Sequence, residues 1–176
     1  VNVMPAFAAQ VQGPPYEDMS RVYLTKNYEL ANTGTISPKE TFTFTIDPGT
    51  VTDASEGIDA ADYMPSVGDV SYAQGEAGSA NKTRQIEIQL PKYDSVGVYT
   101  YIIHEVAGNS AGVTYYGDAI LLRVTVIEQD GKLRIAAVHT EDPESTGEGK
   151  KDDFDNLYSA GELEVHKDVE GIMGNK

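Results

Sequence analysis

The sequence of 176 residues has no cysteine, no tryptophan and few basic side chains, thirteen lysines and arginines against twenty-eight aspartates and glutamates. Each shortage excludes something. Without cysteine there can be no disulfide framework, no thiol nucleophile and no thiolate metal site, so an exported domain would need another staple or none. The acidic excess gives a formal net charge of −15, which repels polyanions and anionic bilayers and argues against nucleic acid as a partner. No stretch is long and apolar enough to insert into a membrane. Sustained helical periodicity is missing as well: no segment keeps it over three turns.

What the chain does have is strand patterning punctuated by turn residues. The predicted strands are RVYLTKNYEL (21 to 30), ETFTFTI (40 to 46), RQIEIQL (84 to 90), VGVYTYIIHEV (96 to 106), AILLRVTVIE (119 to 128), KLRIAAVHT (132 to 140), FDNLY (154 to 158) and LEVHKDV (163 to 169). Gln129-Asp130-Gly131 predicts a tight hairpin between two of them. Residues 50 to 82, rich in Gly, Ser, Ala and Asp, read as a long loop with at most a short helical turn. About seven strands before residue 160 predict an all-β, immunoglobulin-like sandwich.

Three regions follow. Residues 1–19 form an N-terminal segment in which Ala6-Phe7-Ala8 precedes Ala9, either the small-x-small site of an export signal or part of an ordinary flexible terminus. Residues 20–159 make the sandwich, including an exposed loop, EDPESTGEGKKDD (141 to 153), before its last strand. Residues 160–176 read as a hinge and the first strand of a second domain that the chain only begins.

Period-two alternation places three polar residues on inward faces. In 21 to 30, Lys26 shares a face with Val22, Leu24 and Tyr28; in 96 to 106, Glu105 shares one with Tyr99, Tyr101 and Ile103; in 154 to 158, Asn156 lies beside Phe154 and Tyr158. An amine, an acid and an amide in one core, from its first, a middle and its last strand, are the ingredients of a self-made amide crosslink. A lysine amine attacks only when neutral, and desolvation favours the neutral form. A carboxylic acid in the same site can donate a hydrogen bond to the Asn156 carboxamide oxygen and shuttle protons to departing ammonia. Fixed neighbours replace a bimolecular collision. Taken singly, each residue has a plainer reading as a snorkelling lysine or half of a buried ion pair.

At these residues the sequence resembles the major shaft pilins of Gram-positive bacteria, of the streptococcal FctA or T-antigen type, over nearly all of 20 to 170. The densest similarity is VGVYTYIIHEVAGNSAGVTYYGDAILLRVTV (96 to 126); a second block is GKKDDFDNLYSAGELEVHKDVEG (149 to 171). The resemblance implies an intramolecular isopeptide bond between Lys26 and Asn156, with Glu105 assisting. It also implies a lysine shortly upstream of the asparagine that a class C sortase joins to the next subunit, here Lys150 or, as the alternative, Lys151. Lys167 repeats the Lys26 pattern and would be the amine of a second-domain crosslink whose asparagine and acid lie beyond Lys176. The implied protein is a cell-wall-anchored, extracellular pilus subunit, exported by signal-peptide cleavage, with neighbouring pilins, a tip pilin and a base pilin as partners. It needs no cofactor and no metal and is not an enzyme beyond its single self-reaction.

Other patterns carry less. Gly108-Asn109-Ser110-Ala111-Gly112 matches the G-x-S-x-G of serine hydrolases, but that elbow needs a following helix and a strand-like run follows instead. His104, His139 and His166 fall on different strands at no ligand spacing. Asp152, Asp153 and Asp155 suggest a calcium loop, but Phe154 and Leu157 break the EF-hand pattern. Asn81-Lys82-Thr83 fits a glycosylation sequon. The rival to a shaft subunit is an adhesin or glycan-binding sandwich using the 50 to 82 loop and exposed tyrosines.

Overall fold

The computed structural model describes residues 19–144 and 150–160. The described chain is all-β apart from one 3-10 turn, Ala60–Asp62. Its strands are β1 (Arg21–Leu30), β2 (Glu40–Phe42), β3 (Phe44–Thr52), β4 (Ser66–Val67), β5 (Val70–Tyr72), β6 (Thr83–Gln89), β7 (Gly97–Glu105), β8 (Val113–Thr114), β9 (Ala119–Gln129), β10 (Lys132–Glu141) and β11 (Asp153–Tyr158). A five-stranded sheet runs β4-β6-β1-β11-β8, a four-stranded sheet β10-β9-β7-β3, and β2 pairs with β5 in a small ribbon.

Alternation builds the core. Leu24 and Tyr28 of β1, Ile86 and Ile88 of β6 and Phe154 of β11 pack with Tyr99, Tyr101 and Ile103 of β7 and Ile120, Leu122 and Val124 of β9. Each is buried because period two puts it on the inner face of its sheet. The first and last described strands lie side by side: β1 and β11 pair in parallel, Lys26 opposite Phe154 and Tyr28 opposite Asn156. Two adjacent parallel strands need a long connection, and here everything from β2 to β10 serves as one.

The tight hairpin is present. Asp130 and Gly131 both have positive φ, 53° and 79°, and Gln129 pairs with Lys132, the two-residue geometry that matches strand twist. Two expectations change. ETFTFTI is not one strand: β2 joins the ribbon, the chain switches sheets at Thr43, and β3 runs on to Thr52 through a bulge between Pro48 and Val51. Pro48 gives no ladder N–H, so the strand bends there rather than ending. Gly49 follows because a Cβ would sit 2.5 Å from Thr100 Oγ1. Residues 50 to 82 hold the short helical turn expected there, Ala60–Asp62, but they are not an open loop, since they also hold β4 and β5 and bury Ala60, Val70, Tyr72 and Ala77. No helix among the described residues is long and apolar enough to cross a membrane. The strand expected at 163 to 169, with Lys167 and His166, lies outside the described residues, as does the segment 1–18.

Candidate functional site

All three sheets meet around one amine. Lys26, on the inner face of β1, is completely buried. Its Nζ lies 3.2 Å from Glu105 Oε1, with both side chains at 0 % exposure, and 3.7 Å from the centroid of the Phe42 ring. The amine is within ion-pair range of Glu105 but outside hydrogen-bond geometry. Burial draws the Lys26 amine down from 10.5 to about 8, and the opposing pull of Glu105, followed by those of Asp155 and Glu40, only partly offsets it.

Glu105 ends β7, where it pairs with Phe44 of β3. Its Oε2 accepts the Tyr116 backbone N–H at 2.7 Å and Asn156 Nδ2 at 2.5 Å. Asn156 Nδ2 also donates to the Thr114 carbonyl at 3.3 Å. Here the geometry differs from the expected hydrogen bond between Glu105 and the carboxamide oxygen: the amide nitrogen faces Glu105, because it stands between two acceptors that only an NH2 group can serve together. Asn156 Oδ1 is buried without a hydrogen bond, as are Lys26 Nζ and Glu105 Oε1. Phe44 and Tyr116 close over Phe154, with ring centroids 5.1 and 5.2 Å away. An amine, an acid and an amide thus meet in one buried cluster, the first two as an ion pair, each with a polar atom that makes no hydrogen bond.

The two loop lysines differ. Lys150 has an 80 % exposed side chain and a loose 3.6 Å contact with Asp152. Lys151 is 25 % exposed, pairs with Asp153 at 3.0 Å and lies 5.0 Å from the Tyr116 ring centroid. Burial pulls the Lys151 amine down, but Tyr116 and Asp153 outweigh it and hold the amine above its ordinary value. Asp155 accepts from Asn27, so the aspartates of 152 to 155 are each engaged by a neighbouring side chain. Ser110 lies between β7 and β8 with no helix after it, and its Oγ donates to Glu40 at 2.6 Å. Sequence alternation places Lys26, Glu105 and Asn156 but is silent on Tyr116 N–H and the Thr114 carbonyl, which are backbone groups. Phe42 was within reach, as an inward aromatic of the 40 to 46 run.

Residues 22–159 match the Spy0128-like isopeptide containing domain, FctA; the chain belongs to this family. It is similar to a pilin of Streptococcus pyogenes serotype M1, 26 % identical over 174 residues, covering 96 % of this chain and 50 % of that protein. Its fold is similar to the crystal structure of the major pilin of S. pyogenes, with a TM-score of 0.62 and 22 % identity over 81 % of this chain and 51 % of the other. It is also similar to the T3.2 major pilin of S. pyogenes, with a TM-score of 0.66 and 18 % identity over 81 % and 54 %. The chain therefore spans about half the length of the curated relative it matches.

Proposed function

We propose that this domain is part of a pilus shaft subunit held by an isopeptide bond between Lys26 and Asn156. The neutral Lys26 amine attacks Asn156 Cγ, the new C–N bond forms, and Nδ2 leaves as ammonia. Glu105 takes the proton from the amine through Oε1 and returns one to Nδ2 through Oε2, the oxygen that already touches the leaving nitrogen. Holding the reactants together supplies about 7 to 11 kcal/mol of the barrier in well-oriented systems.

The observation that carries this reading is the set of buried atoms without hydrogen bonds on Lys26, Glu105 and Asn156. A buried group left without a hydrogen bond costs about 1 to 3 kcal/mol; the ion pair between Lys26 Nζ and Glu105 Oε1 offsets part of this for those two atoms, and amide formation removes the amine's charge from the core. Tension entering near one end of the sandwich and leaving near the other then passes through a covalent tie between β1 and β11. Lys150, the more exposed lysine of the loop, is the amine offered to a class C sortase. Neighbouring pilins, with others at tip and base, are the partners on a cell-wall-anchored fibre outside the cell. Two tyrosines of the 50 to 82 segment are engaged within the fold, Tyr72 being buried and Tyr63 stacked on Tyr93.

Intact mass spectrometry tests the reaction. The purified chain is expected one ammonia lighter than its sequence, with full mass restored in Lys26→Ala, Glu105→Ala and Asn156→Ala. An unshifted wild type overturns it.

A further inference from the structure

Glu40 is a second buried carboxylate, 8 % exposed, and the reaction just described does not use it. It opens β2, two residues before Phe42. Its Oε1 accepts Ser110 Oγ at 2.6 Å and its Oε2 accepts the Tyr115 hydroxyl. The Tyr115 hydroxyl in turn accepts the Ser110 backbone N–H at 3.3 Å. One carboxylate therefore closes a small ring of hydrogen bonds on the segment between β7 and β9.

That segment carries both backbone groups that orient the reactants. Thr114 supplies the carbonyl that holds Asn156 Nδ2, and Tyr116 supplies the N–H that holds Glu105 Oε2. Tyr115, which Glu40 grips, lies between them. Its ring centroid is 5.9 Å from that of Phe42, the ring against which the Lys26 amine rests. The glycines of the serine-hydrolase-like motif serve the same closure. A Cβ on Gly108 would lie 2.6 Å from the Tyr115 hydroxyl, and one on Gly112, at φ +83°, would lie 2.3 Å from the Ser159 carbonyl. Ser110 Oγ and Tyr115 Oη are thus pointed at one carboxylate, and the Ser110 N–H at the Tyr115 hydroxyl.

We propose that Glu40, through Ser110 and Tyr115, is a positioning residue for isopeptide formation, clamping the 106–118 segment so that Thr114 and Tyr116 present Asn156 and Glu105 to Lys26. The proposal rests on the crosslinking reading above.

The test is a time course of ammonia loss, read by intact mass on chain made by cell-free synthesis and quenched at intervals. Tyr115→Phe combined with Ser110→Ala keeps the aromatic ring and the Glu40 carboxyl group but removes both donors. It is expected to slow bond formation by about tenfold, a small part of the loss that a 1 Å misplacement can cause. Glu40→Ala is expected to slow it at least as much, and adding it to the double variant should bring no further loss. A role in stability alone would lower the melting temperature and leave the rate unchanged, which overturns the proposal. In an Asn156→Ala background, Glu40→Ala should also speed hydrogen exchange of the Tyr116 amide; unchanged exchange overturns it too. If Glu40→Ala does not fold, the double variant alone decides. Failure of the wild type to lose ammonia overturns the crosslink itself, and so is distinct from a wild type that reacts with a double variant that keeps pace.

Discussion

Lys26 stands diagonally from Asn156 rather than directly across from it: Asn156 pairs with Tyr28, and Lys26 lies two residues earlier on the same face of β1. Neighbouring strands lie about 4.8 Å apart and rise about 3.3 Å per residue, so direct opposition is too close for an extended lysine, whereas a two-residue offset separates the two positions by about 8 Å. The offset suits the longest of the aliphatic amines meeting one of the shortest amides. A change of register by one residue would turn Lys26 to the outer face.

Bond formation should depend on pH through the amine. Burial lowers the Lys26 amine to about 8, and only its neutral form attacks, so the rate should rise about tenfold per pH unit below that value and level off above it. Mass time courses on freshly synthesised chain across this range check it. A rate that falls as pH rises through 8 contradicts the amine's role.

The unlinked domain should show the matching stability trend. In Asn156→Ala the folded lysine gives up its proton near 8 and the unfolded one near 10.5. Between these values the unfolded state holds more protons, so stability rises with pH across that window and is insensitive to this group below it. Urea unfolding of Asn156→Ala and of Asn156→Ala/Lys26→Met at pH about 7 and 9.5 separates the lysine's contribution from the rest.

The covalent tie should be worth measuring directly. Closing a loop of about 130 residues restricts the unfolded chain by about 4 to 5 kcal/mol on the scale used for disulfides. Asn156→Ala is therefore expected to lose at least that much by denaturant unfolding, and a loss under 1 kcal/mol would show that the tie adds little at equilibrium.

Polymerisation should separate the two loop lysines. Lys150→Ala is expected to abolish high-mass ladders in cells carrying the cognate sortase, while Lys151→Ala keeps them, because Lys151 is held by Asp153. Ladders that vanish only in the Lys151→Ala strain assign the linkage to that residue instead.

Away from the site, the tyrosine cluster offers a control. Tyr101 Oη donates to the Tyr63 carbonyl at 2.5 Å and shares a 2.9 Å hydrogen bond with Tyr93 Oη. Tyr101→Phe leaves both without this partner and should cost about 1 to 3 kcal/mol. Ammonia loss should still go to completion in this variant.

Much of this was legible in the sequence for one physical reason: long strands with one buried face carry a period-two signal. Strands β1, β7, β9, β10 and β11 are found within a residue or so of their expected limits, and Lys26, Glu105 and Asn156 sit on the faces that alternation assigns them. The signal fails where strands are too short to alternate. Ser66–Val67, Val70–Tyr72 and Val113–Thr114 have two or three residues each, and their pairing is decided by distant partners. Thr43 lies within an unbroken alternating run, so nothing local marks it as the point where the chain changes sheets. Glu40 alternates with Phe42 and Phe44 onto an inward face, but nothing local in the sequence names the groups that satisfy a carboxylate there. Only the folded arrangement brings Ser110 and Tyr115 to satisfy it.

Placing the reactive residues in the first and last described strands also sets a topology. A bond from Lys26 to Asn156 would make the chain a lariat, a closed circle of nearly the whole sandwich with two free tails. A protease that nicks the circle once, even at the exposed Glu144 side of the last loop, would release no fragment; two cuts would be needed before any piece could leave.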